Sequence, residues 1–137
     1  HISGIRDFNF LKEKYGASNL AYKLFDFLFA MQYAYSAADL VICRSGAATI
    51  AELQLFVIPA VLIPYPFADA HQEANARILG NLKAALIIKD EELRAEKLTD
   101  KLNEFLANPE KLEAMRQAYA QIQVLDGVSL LTGEVLK

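Results

Sequence analysis

The chain has 137 residues, enough for one domain with a substantial core, and 54 % of them are hydrophobic, which excludes a disordered segment. A net charge of -3 and a pI near 5.4 leave no excess of Lys and Arg to neutralise phosphates, so no nucleic acid is expected as a partner. The single cysteine, Cys43, cannot form an internal disulfide, and it reads as a small buried thiol.

The sequence opens at His1 with neither an initiating Met nor a signal-peptide pattern, and is read as a piece of a larger soluble chain. The apolar stretch over 20–35 carries Lys23 and Asp26 and falls short of the roughly 20 residues needed to span a bilayer. Within it a strand is expected over 22–25, followed by a helix over 29–38. Three continuous apolar runs, Leu40-Val41-Ile42-Cys43, Ala60-Val61-Leu62-Ile63 and Ala84-Ala85-Leu86-Ile87-Ile88, have the pattern of parallel strands covered on both faces. Helices are predicted between them over 49–56 and 71–82. The alternation argues for an α/β fold, a parallel sheet flanked by helices with right-handed crossovers.

Further on, Leu98, Leu102, Phe105 and Leu106 fall on one helical face. Asn108-Pro109 then starts another helix, with Pro where its missing N–H costs nothing, and Leu112, Met115, Tyr119 and Ile122 line it. Both stripes read as packing surface. A short closing helix over 128–137 is possible on pattern. No internal repeat or low-complexity linker interrupts the chain.

Two segments carry chemistry. The first, Arg44-Ser45-Gly46-Ala47-Ala48-Thr49-Ile50-Ala51-Glu52, directly follows a strand. Ligands of doubly wound folds bind beyond the carboxyl ends of the strands, where a small-residue turn lets backbone N–H groups and a helix N-terminus approach a phosphate. Gly46 removes the side chain that would block the approach, and Thr49 adds a hydroxyl. Glu52, one turn on, can accept two hydrogen bonds from vicinal ribose hydroxyls. The competing reading is a plain tight turn in which Glu52 complements the helix dipole. The second segment is Pro64-Tyr65-Pro66-Phe67-Ala68-Asp69-Ala70-His71-Gln72-Glu73-Ala74-Asn75. A helix beginning near Asp69 places His71 and Asn75 one turn apart with Gln72 beside them, a donor and acceptor set suited to sugar hydroxyls. Asp69 and Glu73 could hold a cation at that spacing, although a solvated face is the plainer reading. No Cys/His set has zinc spacing, no P-loop or nucleophile elbow is present, and neither a metal nor a cofactor is expected.

Together, ADLVICRSGAATIAEL and, further on, IPAVLIPYPFADAHQEANA resemble the donor-binding half of the UDP-N-acetylglucosamine:lipid I N-acetylglucosamine transferases of peptidoglycan synthesis. The similarity runs from His1-Ile2-Ser3-Gly4 to the helices near residue 125. It implies a Rossmann-like sheet forming part of the C-terminal domain of a GT-B glycosyltransferase, over residues 1–137. The first strand of that domain with its glycine-rich loop, and the N-terminal acceptor domain, would lie outside the sequence. The resemblance assigns Gly46, Ala47, Ala48 and Thr49 to the donor diphosphate and Glu52 to the uridine ribose. It gives Leu28 a backbone contact to uracil with Met31 near the same pocket, and places His71, Gln72 and Asn75 near the N-acetylglucosamine hydroxyls. Arg44 and Ser45 belong to the first loop.

It further implies UDP-N-acetylglucosamine as donor and lipid I as acceptor, the latter held by the domain outside the sequence, which would also supply the catalytic base. The whole protein would work in the cytoplasm at the inner face of the bacterial membrane, while these residues alone would bind donor without catalysing transfer. No D-x-D metal motif accompanies the site. Alternatives are another UDP-sugar transferase of the same fold, a non-catalytic donor-binding subunit docked on a membrane-bound partner, and a flavodoxin-like interaction domain without nucleotide. The aromatics over 22–35 read either as packing residues or as a membrane-surface patch. The sequence departs from the family at two places that usually carry glycine, before Pro59, where it reads Phe56-Val57-Ile58, and near Lys83.

Overall fold

A computed structural model describes residues 1–67, 70–122 and 132. The helix considered over 128–137 falls, apart from Thr132, outside the described residues, as does Asp69. The chain divides into two compact units, His1–Ala37 and Ala38–Lys137.

The first unit holds two helices, α1 (Phe8–Gly16) and α2 (Met31–Ala37). The strand expected over 22–25 reduces to an isolated parallel bridge between Ile2 and Phe25, closed by Phe25 N–H to the His1 carbonyl at 2.8 Å and Ser3 N–H to the Phe25 carbonyl at 2.9 Å. Rings stack locally, Tyr15 on Tyr22 and Phe27 edge-on to Phe29, each pair 4.7 Å between centroids. The packing role expected for the aromatics over 22–35 holds for Tyr35 alone, which is buried; Tyr22, Phe25, Phe27, Phe29 and Tyr33 are exposed. A unit of this size has too little interior to cover so many large rings.

The second unit carries the expected α/β alternation. Strands β1 (Val41–Cys43), β2 (Ala60–Leu62) and β3 (Ala85–Ile87) form a parallel sheet in the order β1-β2-β3. The register pairs Ile42 with Val61 and Val61 with Leu86. β2 is buried at every residue, as its unbroken apolar run requires. Helices α3 (Ala47–Phe56) and α4 (His71–Asn81) connect the strands. Next come a 3-10 turn at Asp90–Glu92, α5 (Ala95–Ala107), α6 (Pro109–Ala118) and a second 3-10 turn at Tyr119–Gln121. Phe105 of α5 and Met115 of α6 join Val61, Ile63 and Ile88 in one buried cluster, with Leu98 and Leu112 packed against it. Leu106 departs from its predicted stripe and is 77 % exposed, because Phe105 occupies the inward position at the end of α5. Tyr119 anchors the end of α6 by donating its hydroxyl to the Ile58 carbonyl at 2.6 Å, and burial pushes the ionisation of that phenol well above its usual range.

Both helices that feed the sheet end the same way. After α3, Val57 N–H donates to Gln54 and Ile58 N–H to Leu53; after α4, Lys83 N–H donates to Gly80 and Ala84 N–H to Leu79. These are paired Schellman closures, in which the residue just past the helix adopts a left-handed conformation that glycine takes without strain. Here Val57 has φ 56° and Lys83 φ 64°. The two places where the resemblance leads glycine to be expected, before Pro59 and near Lys83, therefore fall on left-handed turns. Gly80, inside α4, answers a different need: a Cβ there would meet Ile87 Cδ1 at 2.5 Å, so its absence lets α4 approach β3.

Relief of the left-handed strain on a β-branched residue should outweigh the extra chain entropy of glycine at Val57, which packs little. Val57→Gly should stabilise the protein by about 0.5–1 kcal/mol in urea denaturation; a loss of stability would show that the turn is not strained. A second expectation concerns acid. Hydrogen bonds from Lys101 and Lys111 hold the Glu104 carboxyl down to about 2, joining the end of α5 to the start of α6. Because the folded-state value is depressed, this contribution is present above the unfolded carboxyl value, near 4.5, and is lost as pH falls from there to about 2. Wild type should thus exceed Glu104→Gln in melting temperature by a constant margin at neutral pH, and the margin should close across that acid window.

Candidate functional site

The loops that follow β1 and β2 leave the sheet at the same end and are tied to one another by hydrogen bonds. After β1, Arg44 and Ser45 lead to Gly46, which starts α3 with φ −62° and ψ 152°. No side chain caps that N-terminus and its first turn holds no acidic residue. The leading N–H groups of a helix have no partner within it, and the macrodipole places partial positive charge on them. Ala47 and Ala48 are exposed there, while Thr49 and Glu52 are half-buried. Gly46 is not demanded by the fold. Its φ is ordinary, and a Cβ would meet only Thr49 Oγ1 at 3.7 Å, an everyday contact. What its missing side chain leaves open is the approach to the helix.

After β2, the chain runs through Pro64 and Tyr65 to α4, whose first residue is His71. The predicted start near Asp69 is displaced to His71, because Ala70 holds a left-handed φ of 61° and serves as N-cap. His71 is exposed; Gln72 and Asn75 are half-buried and turn toward the first loop. Gln72 Oε1 accepts the backbone N–H of Ser45 at 3.2 Å and that of Tyr65 at 3.0 Å. Ser45 Oγ donates to the Gln72 carbonyl at 2.7 Å, and Asn75 Nδ2 donates to the Ser45 carbonyl at 3.1 Å. Two backbone donors facing one amide end fix its orientation, since the reversed amide would set N–H against N–H. The Gln72 Nε2 group has no acceptor among the described residues.

Arg44 lies across the ends of the strands. Its Nη1 donates to the Ile63 and Pro64 carbonyls at 3.2 and 3.3 Å and pairs with Asp90, while the guanidinium lies 5.6 Å from the Tyr65 ring centre. Asp90 was not anticipated from the sequence, although its place just after the third strand, at the same end of the sheet, was a usable signal. Beside these residues opens a cavity of about 420 Å³ walled by Tyr65, Phe67, Arg77 and Lys89. Burial pushes the Cys43 thiol up to about 11, so it stays protonated at neutral pH. Of the other residues singled out, Leu28 and Met31 belong to the first unit, where both are half-buried and Met31 opens α2. Among the described residues no three His, Cys, Asp or Glu side chains gather as a metal group, and no helix is long and apolar enough to cross a membrane.

The model of the glycosyltransferase family 28 C-terminal domain matches residues 1–131. The chain belongs to this family. A curated relative from Halothermothrix orenii is 42 % identical over 125 residues, covering 86 % of this chain and 34 % of its own length. One from Myxococcus xanthus is 38 % identical over 118 residues, covering 85 % of this chain and 31 % of its own. Both are named UDP-N-acetylglucosamine–N-acetylmuramyl-(pentapeptide) pyrophosphoryl-undecaprenol N-acetylglucosamine transferase. The family 28 chain thus spans about a third of the length of these relatives. The crystal structure of Acinetobacter baumannii MurG superposes with a TM-score of 0.79 at 35 % identity, over 90 % of this chain and 38 % of that one. The parallel sheet with flanking helices is accordingly a GT-B C-terminal domain fold.

In the family 28 domain Arg44 does more than pair with an acid, because it also caps two strand-end carbonyls. Arg44→Ala should cost about 1–2 kcal/mol in chemical denaturation, more than the roughly 0–1 kcal/mol expected of Asp90→Asn, since the ion pair itself is half-exposed. Equal losses would reduce Arg44 to an ion-pair partner.

Proposed function

We propose that this domain binds UDP-N-acetylglucosamine for an inverting transfer of N-acetylglucosamine to lipid I. The observation that carries the reading is Gly46. Glycine suits the N-cap position in any helix, and here its missing side chain also leaves the mouth of a helix without a side-chain cap open to a diphosphate resting on the N–H groups of Ala47, Ala48 and Thr49. In this arrangement the helix N-terminus stabilises the charge that builds on the leaving UDP as the bond to the anomeric carbon breaks. Glu52, one turn into α3, accepts the ribose hydroxyls. His71 and the Nε2 of Gln72, which has no acceptor among the described residues, stand at the neighbouring helix start, within the same end of the sheet, for the sugar hydroxyls. A general base removes the proton of the attacking acceptor hydroxyl; the reading assigns that base to none of the residues named above. The relatives' names describe an acceptor on an undecaprenol carrier, which supports work at a membrane surface, on its cytoplasmic face in this proposal.

Titration calorimetry of the intact protein with UDP-N-acetylglucosamine, UDP-glucose and GDP-mannose tests the proposal. UDP-N-acetylglucosamine should bind best. Gly46→Val should abolish that binding at the modest cost in melting temperature of losing a favoured N-cap residue, because a Cβ there meets only an ordinary contact. Glu52→Ala should weaken UDP itself by about tenfold, the worth of a charge-assisted hydrogen bond. A folded protein that binds none of the three nucleotides would refute the donor-site reading.

A further inference from the structure

Ser45 is fully buried, so it cannot touch a ligand, yet it is the residue through which the two loops communicate. All three of its polar groups are committed to α4: the N–H to Gln72 Oε1, the hydroxyl to the Gln72 carbonyl, and the carbonyl to Asn75 Nδ2. Gly46, the opening of the diphosphate-binding turn, is the next residue in the chain. We propose that Ser45 is a positioning residue for sugar recognition, holding the Gln72 amide, with the help of Asn75, at a fixed place relative to the diphosphate-binding turn. The inference rests on the donor-site reading and deepens it by separating residues that touch the sugar from residues that hold those in place.

The physical case has two parts. A free glutamine side chain loses considerable rotamer entropy when it binds, but the Gln72 amide is already oriented by the Ser45 and Tyr65 N–H groups, so its Nε2 donors meet a ligand with little further ordering. Their distance from the phosphates is also set, because the residue that anchors the amide adjoins the turn that holds the diphosphate. Serine is the residue that does this. Its short side chain fits a position with no exposure, and its hydroxyl supplies the 2.7 Å bond that ties the first turn of α4 to the end of β1. Asn75 adds a tie from one Nδ2 hydrogen to the Ser45 carbonyl, which leaves its second Nδ2 hydrogen uncommitted by that bond.

The test compares affinities for UDP-N-acetylglucosamine and for UDP, measured on the intact protein. Ser45→Ala should weaken UDP-N-acetylglucosamine about five- to tenfold while leaving UDP within about twofold. A general loosening of the fold would move both together. In a double-mutant cycle, Ser45→Ala should add nothing to the loss of sugar preference already caused by Gln72→Ala, because it acts through that side chain. Asn75→Ala, which breaks the tie from the other side and leaves the buried hydroxyl alone, should reproduce the loss in milder form and likewise add nothing to Gln72→Ala, an outcome a direct sugar contact would not give, and it carries the test should Ser45→Ala not fold. Parallel losses for both ligands, additive effects with Gln72→Ala, or a wild type that prefers UDP-N-acetylglucosamine to UDP by no margin would each overturn the inference. Failure of wild type to bind either ligand would instead strike the donor-site reading.

Discussion

The constraint on which the site depends is the satisfaction of Ser45, a polar residue with no exposure at the point where β1 becomes α3. A buried N–H, hydroxyl or carbonyl left without a partner costs on the order of 1–3 kcal/mol, and Ser45 presents all three. α4 meets each demand, through the Gln72 side chain, the Gln72 carbonyl and the Asn75 amide. The start of α4 is therefore placed by a polar requirement of the neighbouring loop as well as by its apolar face, where Ala76 and Leu79 are buried. Sheet packing brings two loops to one end of the strands. The hydrogen bonds then set them in register to within the tolerance of a hydrogen bond.

Arg44 extends the same logic across the sheet. Its guanidinium joins the residues after β2 to Asp90 after β3, so successive residues, Arg44 and Ser45, bind the exits of all three strands together. The arginine is half-exposed and its ion pair alone contributes little, but the carbonyl caps hold irregular backbone that would otherwise depend on water. Tyr119 does comparable work at the other end of β2, where its buried hydroxyl takes up the Ile58 carbonyl.

Much of this was legible in the sequence, and the exceptions have physical causes. The three strands were readable because each is a short unbroken apolar run between turns, a pattern that burial on both faces imposes. The observed strands are shorter than the runs by one or two residues, since Leu40, Ile63, Ala84 and Ile88 keep packing after the ladder has ended. α1 escaped notice because it buries no residue and carries no strong stripe. Leu106 was misassigned because a periodic pattern cannot show where a helix stops facing the core. For the candidate site, residue types pointed to two segments that the structure joins by hydrogen bonds, but not to the pairing within them. Asn75, Gln72 and Ser45 look equally fit for a ligand as residue types, and only the tertiary pairing shows which of their groups bond one another.

That pairing bears on the donor-site proposal. Recognition of a nucleotide sugar needs donors at fixed separations, since misplacement by about an ångström removes much of the benefit of each contact. Side chains on flexible loops would supply the donors without fixing the separations. Here the separations are set by backbone: the first turns of two helices, α3 and α4, lie side by side because a buried serine joins them. The strained turns after these same helices, at Val57 and Lys83, lie at their far ends. There the chain accepts residues that glycine would better, while at Gly46, where no strain calls for it, glycine is present. At Gly46 the glycine serves a helix start, where it is a favoured N-cap and leaves the first N–H groups open, whereas the far turns carry side chains at a cost in strain.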